Sequence, residues 1–318
     1  MTGPLLVTGG TGLLGSAIRK IRPDAIFLSR ADGDLRDRGI AQRLLEEVRP
    51  AQILHLAGLV GGVKANAAHN SRFFEENALI NTAVLAAARS LRVRSLVSLL
   101  SSCAFPLFSD RATTENDLQA ALPYDGNAGY GYAKRMLDLH IRLVAKEEGW
   151  KWTTLTPVTL YGPQDSCDPE SGHVVGSLIS RCWAAKTSGT PLVVWGSGRA
   201  VRQFVFVDDV AKIALDAVQR NLDSTTTIIA PDAGMTITTL AETIASVMGY
   251  AGPIVFDPAQ PEGVLVKRLH STSFSERFPG WRFTRLRQGL EATVRWFIDH
   301  SLSGKGRPSG SLPLCHQS

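Results

Sequence analysis

The first half of the chain alternates short, wholly apolar runs with longer stretches whose apolar residues recur every three or four positions. Leu5-Leu6-Val7-Thr8, Ala25-Ile26-Phe27-Leu28, Ile53-Leu54-His55-Leu56 and Leu96-Val97-Ser98-Leu99 read as strands buried on both faces. Between them, residues 13–21, 40–48 and 73–91 carry helical periodicity, and a helix over 130–148 leads to a fifth strand at 153–156. Strands separated by helices imply right-handed crossovers and a parallel sheet. The fold class predicted is therefore α/β, a doubly wound parallel (Rossmann) sheet.

Beyond Gly162-Pro163 the texture changes. A polar loop at 164–172 precedes a helix at 174–186 and a strand at 192–195. Val207-Asp208-Asp209 opens an amphipathic helix whose acidic first turn suits the helix dipole. A stretch with Pro and Gly at 253–263 separates small elements from a last helix at 285–300. This pattern predicts a first domain over 1–163, to which segments at about 200–230 return. A smaller, partly interleaved α/β domain covers 164–302, and a flexible tail rich in Ser, Gly and Pro covers 303–318.

At 318 residues the chain has room for about two cores of ~150 residues. Its 44% hydrophobic and 20% charged content excludes disorder. No apolar run reaches the ~18 residues a membrane span needs, and no leader pattern is present, so a cytoplasmic, non-secreted protein is expected. Cys103, Cys167, Cys182 and Cys315 include no CxxC pair, which suggests neither a zinc site nor a disulfide framework. The net charge of +5 is scattered; no basic block marks nucleic-acid binding, and the excess suits a polyanionic small ligand.

Candidate chemistry begins directly after the first strand. Gly9-Gly10-Thr11-Gly12-Leu13-Leu14-Gly15 has glycines where a tight turn, close approach to a pyrophosphate, and helix-on-strand packing require them. The helix start then offers its free N–H groups to the anion. The second strand ends in Leu28-Ser29-Arg30; an arginine there accommodates a 2′-phosphate, where Asp or Glu would favour NAD. NADP(H) is the cofactor expected, against the alternative of Arg30 as a solvated surface residue. Tyr130-x-x-x-Lys134 places a phenol and an ammonium on one helix face. A neighbouring cation is expected to lower the tyrosine pKa and fit it for acid–base work, although the same spacing occurs in plain surface pairs. Ser101, at the carboxyl end of the fourth strand, lies where ligands of such sheets bind.

With the glycine loop, the serine and the Tyr/Lys pair in place, the chain resembles the extended short-chain dehydrogenase/reductase superfamily. Several further motifs follow in order: His55-Leu56-Ala57-Gly58-Leu59-Val60-Gly61-Gly62, Ser101-Ser102-Cys103-Ala104-Phe105-Pro106, Tyr161-Gly162-Pro163-Gln164-Asp165, Gly172-His173-Val174, Val194-Trp195-Gly196-Ser197-Gly198 and Arg202-Gln203-Phe204. As a set, from about Leu5 to about His300, they resemble the GDP-L-fucose synthase family. That resemblance implies epimerisation of GDP-4-keto-6-deoxy-D-mannose at C3 and C5, then NADPH-dependent reduction at C4. Tyr130 would protonate the C4 oxygen, Ser101 would bind it, and Lys134 would hold the nicotinamide ribose. Cys103, two residues past Ser101 and so on the same side of an extended chain, would be the base, with His173 the acid. Without the resemblance, Cys103 reads as a small buried hydrophobe and His173 as a loop residue.

The resemblance also implies wider contacts. To the glycine loop and Arg30 it adds, on the cofactor side, Asp34, Leu35, Leu56, Ala57, Gly58, Leu99, Leu100, Ser102, Pro157, Val158, Thr159, Leu160 and His173. On the substrate side stand Val60, Gly61, Gly62, Arg181, Trp195, Arg202 and Glu262; arginine forks suit a diphosphate, while core and surface roles remain open. No metal is implied, and a homodimer through the helices at 73–91 and 130–148 is. Three positions depart from the family pattern: Thr159 for an asparagine, Glu262 for an aspartate, and Gly176 for a proline, the last expected to loosen its helix start. The rival readings are another nucleotide-sugar 4-ketoreductase or epimerase, and a silent NADP-sensing regulator.

Overall fold

The computed structural model describes residues 3–302 apart from 109, 171, 232 and 261. The expected tail at 303–318, Cys315 included, lies outside the described residues. The elements run β1 (Leu5–Thr8), α1 (Leu13–Ile21), β2 (Ile26–Leu28), α2 (Arg38–Val48), β3 (Gln52–His55), α3 (Val63–Ala68), α4 (Asn70–Ser90), β4 (Ser95–Leu99), α5 (Ala128–Glu148) and β5 (Lys151–Pro157). They continue as β6 (Thr159–Tyr161), α6 (Val174–Ser188), β7 (Leu192–Trp195), β8 (Val201–Arg202), β9 (Phe204–Phe206) and α7 (Val207–Arg220). Last come β10 (Thr227–Ile229), β11 (Met235–Thr236), α8 (Ile237–Met248), β12 (Ile254–Asp257), α9 (Phe274–Arg277) and α10 (Leu286–Leu302).

Six strands form one wholly parallel sheet in the order β2-β1-β3-β4-β5-β10. Every residue of β1 and β4 is buried, because helices cover both faces; that is why these strands are unbroken apolar runs rather than alternating ones. Chain direction across the sheet reverses between β1 and β3, and ligands of such sheets bind beyond the strand ends at this point. The Gly9 loop, Leu56–Gly58 and Ser101 all lie at those ends. β10 reaches the sheet from residue 227 and pairs with β5 through Ile228 and Thr156.

A second apolar core is built from α6 (Val175, Leu178, Ile179), α8 (Leu240, Ile244) and α10 (Leu290, Val294). The short parallel pair β6 and β9 separates the two cores. Along β9 the faces alternate: Val205 belongs to the sheet core, Phe204 and Phe206 to the second. α7 then returns to pack on α1. The functional groups below gather in the cleft between the two cores.

Candidate active site

The cofactor cradle is shaped by what its glycines exclude. Gly9 has φ +72°, and a Cβ there would lie 2.8 Å from the Ala57 nitrogen; a Cβ on Gly15 would lie 2.4 Å from the Gly9 oxygen. Gly12, by contrast, would meet only an ordinary contact at 3.4 Å, so the loop is open on that side. Gly12 also caps α1 without any side-chain bond, which leaves the helix N–H groups facing outward. Thr8 Oγ1 accepts from the N–H groups of Leu56 and Ala57, tying β1 to the β3 loop. These features fit a dinucleotide pyrophosphate.

Arg30 is exposed and lies 3.8 Å from Glu76, which also holds Arg36 at 3.4 Å and Arg72 at 2.7 Å. Asp34 pairs with Arg36 through both carboxylate oxygens, so its carboxylate is engaged within the protein. The cluster leaves Arg30 the freest cation at the end of β2.

Tyr130 stands in the first turn of α5. Gly131 lets this helix lie against the residues after β4: a Cβ there would come 2.6 Å from the Cys103 carbonyl oxygen. The expectation of a depressed tyrosine pKa is not met. Burial raises the Tyr130 phenol well above its ordinary range, the neighbouring Cys103 adds to this, and a hydrogen bond with Ser101 only partly offsets them. Lys134 does not reverse the balance, since its Nζ donates to the Leu99 carbonyl at 2.9 Å and sits 5.7 Å from the phenol ring centre. Burial pushes Lys134 itself down to about 8. Tyr130 is thus a proton donor at rest.

The route by which Cys103 reaches the site also differs from expectation. The chain is not extended after Ser101: Ser102–Ala104 form a single 3₁₀ turn, with the Cys103 N–H donating to Ser101 Oγ at 3.2 Å. The turn, not strand alternation, brings the thiol beside Ser101. Asn127 Nδ2 donates to Cys103 Sγ at 3.0 Å and Lys267 Nζ at 3.4 Å. Burial alone would raise this thiol, but Lys267, Ser101 and His173 outweigh it and hold the thiol below its ordinary value.

His173 is the N-cap residue of α6, and its Nδ1 lies 3.3 Å from Asp165 Oδ1. The hydrogen bond with Asp165 raises the imidazole above its ordinary value, against burial. Gly176 does not loosen this helix start. A Cβ there would strike the Ser166 oxygen at 2.2 Å, so the missing side chain is what lets the Asp165 loop close on α6.

On the side of the second core, the Arg181 guanidinium stacks on Trp195 at 4.2 Å and donates to the carbonyls of Pro169 and Val193. Arg202 donates to the Val201 and Glu262 carbonyls, and its pKa is lowered by burial although Glu262 and Cys103 oppose this. The Glu262 carboxylate accepts from Ser197 Oγ at 2.7 Å and from the Ala200 N–H, so it braces the turn after β7. Val60 is exposed, while the Gly61 and Gly62 carbonyls accept from Asn66. Leu99 and Leu100 are buried in the sheet core, and Thr159 donates its N–H to the Gln203 carbonyl. Thus Ser101, Cys103, Tyr130, Lys134, His173 and Arg202 converge, whereas Asp34 and Glu262 have carboxylates already spoken for. Asn127, Asp165 and Lys267 were not assigned roles from sequence. Asp165 stands at the end of the Tyr161–Asp165 motif, but Lys267 lies 164 residues from its partner and no local pattern announces it.

A parallel doubly wound sheet with a glycine cradle, a buried lysine beside a half-buried tyrosine and serine, and a thiol within electrostatic reach of an imidazole defines a dinucleotide-dependent epimerase or reductase. In agreement, the model of the NAD dependent epimerase/dehydratase family matches residues 5–229, and the chain belongs to that family. It is 31% identical to GDP-L-fucose synthase of Dictyostelium discoideum over 305 residues, covering 93% of this chain and 95% of that one. It is 30% identical to GDP-L-fucose synthase of Escherichia coli over 312 residues, covering 93% and 97%. Among solved structures, the GDP-L-fucose synthetase of Naegleria fowleri bound to NADP superposes with a TM-score of 0.87 at 31% identity, covering 96% of each chain. Among the described residues no helix is long and apolar enough to cross a membrane.

Proposed function

We propose that the protein converts GDP-4-keto-6-deoxy-D-mannose to GDP-L-fucose, epimerising C3 and C5 and then reducing the C4 ketone with NADPH. The observation that carries this reading is the pairing of Cys103 and His173. A reductase needs neither group, whereas double inversion needs a base on one face of the ring and an acid on the other. The two pKa shifts run in opposite directions, favouring thiolate and imidazolium together. The C4 ketone acidifies the hydrogens on its two α carbons. Cys103 takes each proton as the C–H pair flows into an enolate, and His173 returns a proton to the opposite face. Ser101 and Tyr130 donate to the enolate oxygen, and Arg202 and Lys267 add positive potential.

The residue 9–15 loop, Arg30 and Lys134 would hold NADPH, which when bound would supply the hydride. Tyr130 then gives its phenolic proton to the C4 oxygen. Arg181 and Arg202 suit the diphosphate through paired, charge-assisted bonds. We further propose a homodimer through α4 and α5, since Tyr132, Met136, Leu139 and Leu143 form an exposed apolar stripe along α5 and Leu79 an exposed position on α4. A working thiol and NADPH both suit the cytoplasm. The test is to incubate the protein with NADPH and the keto sugar nucleotide and analyse the product sugar. L-fucose supports the reading; D-rhamnose makes the protein a plain 4-ketoreductase, and cofactor binding without turnover makes it a sensor.

A further inference from the structure

Cys103 is asked to act as a base, yet an ordinary thiol is mostly neutral at neutral pH and only the thiolate accepts a proton. What surrounds Sγ is therefore the decisive question, and this inference rests on the reaction proposed above. From its own turn comes Ser101; from the turn before α5 comes Asn127, and from α5 itself Tyr130. His173 faces it from the start of α6 and Arg202 from β8. Lys267 comes from the segment that follows β12.

The cations are not equivalent. His173 shares its charge with Asp165 at 3.3 Å. Arg202 spends two nitrogens on the Val201 and Glu262 carbonyls. Lys267 makes no ion pair with a carboxylate among the described residues, and it donates a hydrogen bond to the sulfur itself. Its position is fixed by the backbone. The Val201 N–H donates to the Leu265 carbonyl at 2.7 Å, and the Lys267 N–H donates to the Val201 carbonyl at 3.2 Å. Two residues on, the buried Gln203 side chain donates to the Leu269 carbonyl and accepts from the Leu269 N–H. The Arg202-Gln203 motif thus does two things: its arginine enters the cleft, and its glutamine clamps the segment that delivers Lys267.

We propose that Lys267 is the positioning residue that holds the Cys103 sulfur as a thiolate, while the Asn127 amide sets the direction in which that sulfur points. The proton balance is simple. The α-carbon proton moves to Sγ as its bonding pair enters the enolate, a proton leaves the imidazolium for the opposite face, and the resulting thiol and neutral imidazole return to their charged forms by exchange with solvent. The ammonium keeps its protons throughout and never touches the ring carbons.

The experiment measures the iodoacetamide alkylation rate of Cys103 in the free protein across about pH 5 to 10, read on its own peptide by mass spectrometry so that the other cysteines do not interfere. For Lys267→Met the profile is expected to move to higher pH, with the neutral-pH rate falling roughly tenfold. Lys267→Arg should keep the profile near that of the unchanged protein. Solvent deuterium exchange at C3 and C5 should fall in the methionine variant and recover as pH is raised, which a purely structural role would not produce. If the methionine variant melts early, Lys267→Gln, which retains a polar head, gives the same comparison. A folded Lys267→Met or Lys267→Gln protein whose Cys103 alkylates with an unchanged pH profile overturns the proposal. Alkylation requires no sugar nucleotide. A depressed profile with no exchange at C3 and C5 would therefore sink the reaction assignment and leave the role of Lys267 standing.

Discussion

At the scale of single residues, burial acts on a phenol and a thiol that flank the same serine, with opposite outcomes. Among the described residues no cation is hydrogen-bonded to the Tyr130 hydroxyl, so desolvation dominates and the phenol keeps its proton. Cys103 is bonded by Lys267 and Asn127, and the balance tips toward the thiolate. One group is thereby set as an acid, the other as a base, within electrostatic reach of each other. Tyr130→Phe should therefore slow reduction by roughly 10²- to 10⁴-fold while solvent deuterium still enters C3 and C5; single-turnover NADPH oxidation beside exchange measurements separates the two. Ser101, Tyr130 and Lys134 can be read as candidates from short local patterns, whereas Cys103 and His173 stand out only through the resemblance to a family. The direction of the Tyr130 shift cannot be read, because a spacing of four shows that two side chains share a face and says nothing of where the lysine points. Lys134 points at the Leu99 carbonyl.

At the scale of elements, segments far apart in sequence are tied by buried polar clamps. Glu115 is one. Its carboxylate accepts from the Ile228 N–H of β10, from the hydroxyls of Ser271 and Thr272, and from the Thr272 N–H. Burial alone would raise this carboxylate, but these bonds outweigh it and hold it below its ordinary value. The stabilisation these bonds give is therefore in force above the unfolded glutamate range and is lost as pH falls through the depressed folded value. Glu115→Gln should cost about 1–3 kcal/mol at neutral pH, with the deficit closing in acid; urea unfolding midpoints at the two pH values check this. The five strands β1 to β5 and the helices α1, α2, α4 and α5 could be read from the chain because apolar runs and helical periodicity are local signals; the six-residue α3 between β3 and α4 could not. β10, β6 and β9 have three residues each, too few for a period, and find their places only through partners. Gly176 shows the same limit: its sequence context suggests a loosened helix, whereas packing against Ser166 makes it the residue that tightens the His173 loop.

At the scale of the whole molecule, one exposed apolar feature stands out on α5. Tyr132, Met136, Leu139 and Leu143 follow each other at intervals of four, three and four on α5, the spacing of a helix-packing seam. Met136→Glu combined with Leu139→Glu should convert a dimer to monomers in analytical ultracentrifugation, and a mass unchanged from that of the unsubstituted protein would place the contact elsewhere. The candidate site draws on both cores, so Tyr130 and Lys134, proposed for the reduction, and Arg181 and Arg202, proposed for the diphosphate, come from different halves of the chain. That division is why single motifs pointed only to a superfamily, while the ordered set pointed to one chemistry. The decisive measurement is turnover in deuterium oxide with NADPH and GDP-4-keto-6-deoxy-D-mannose, with the product examined by NMR. Deuterium at both C3 and C5 of an L-fuco product, absent when Cys103→Ala replaces the thiol, is the expected result. A reduced sugar that carries solvent hydrogen at neither carbon would contradict the account.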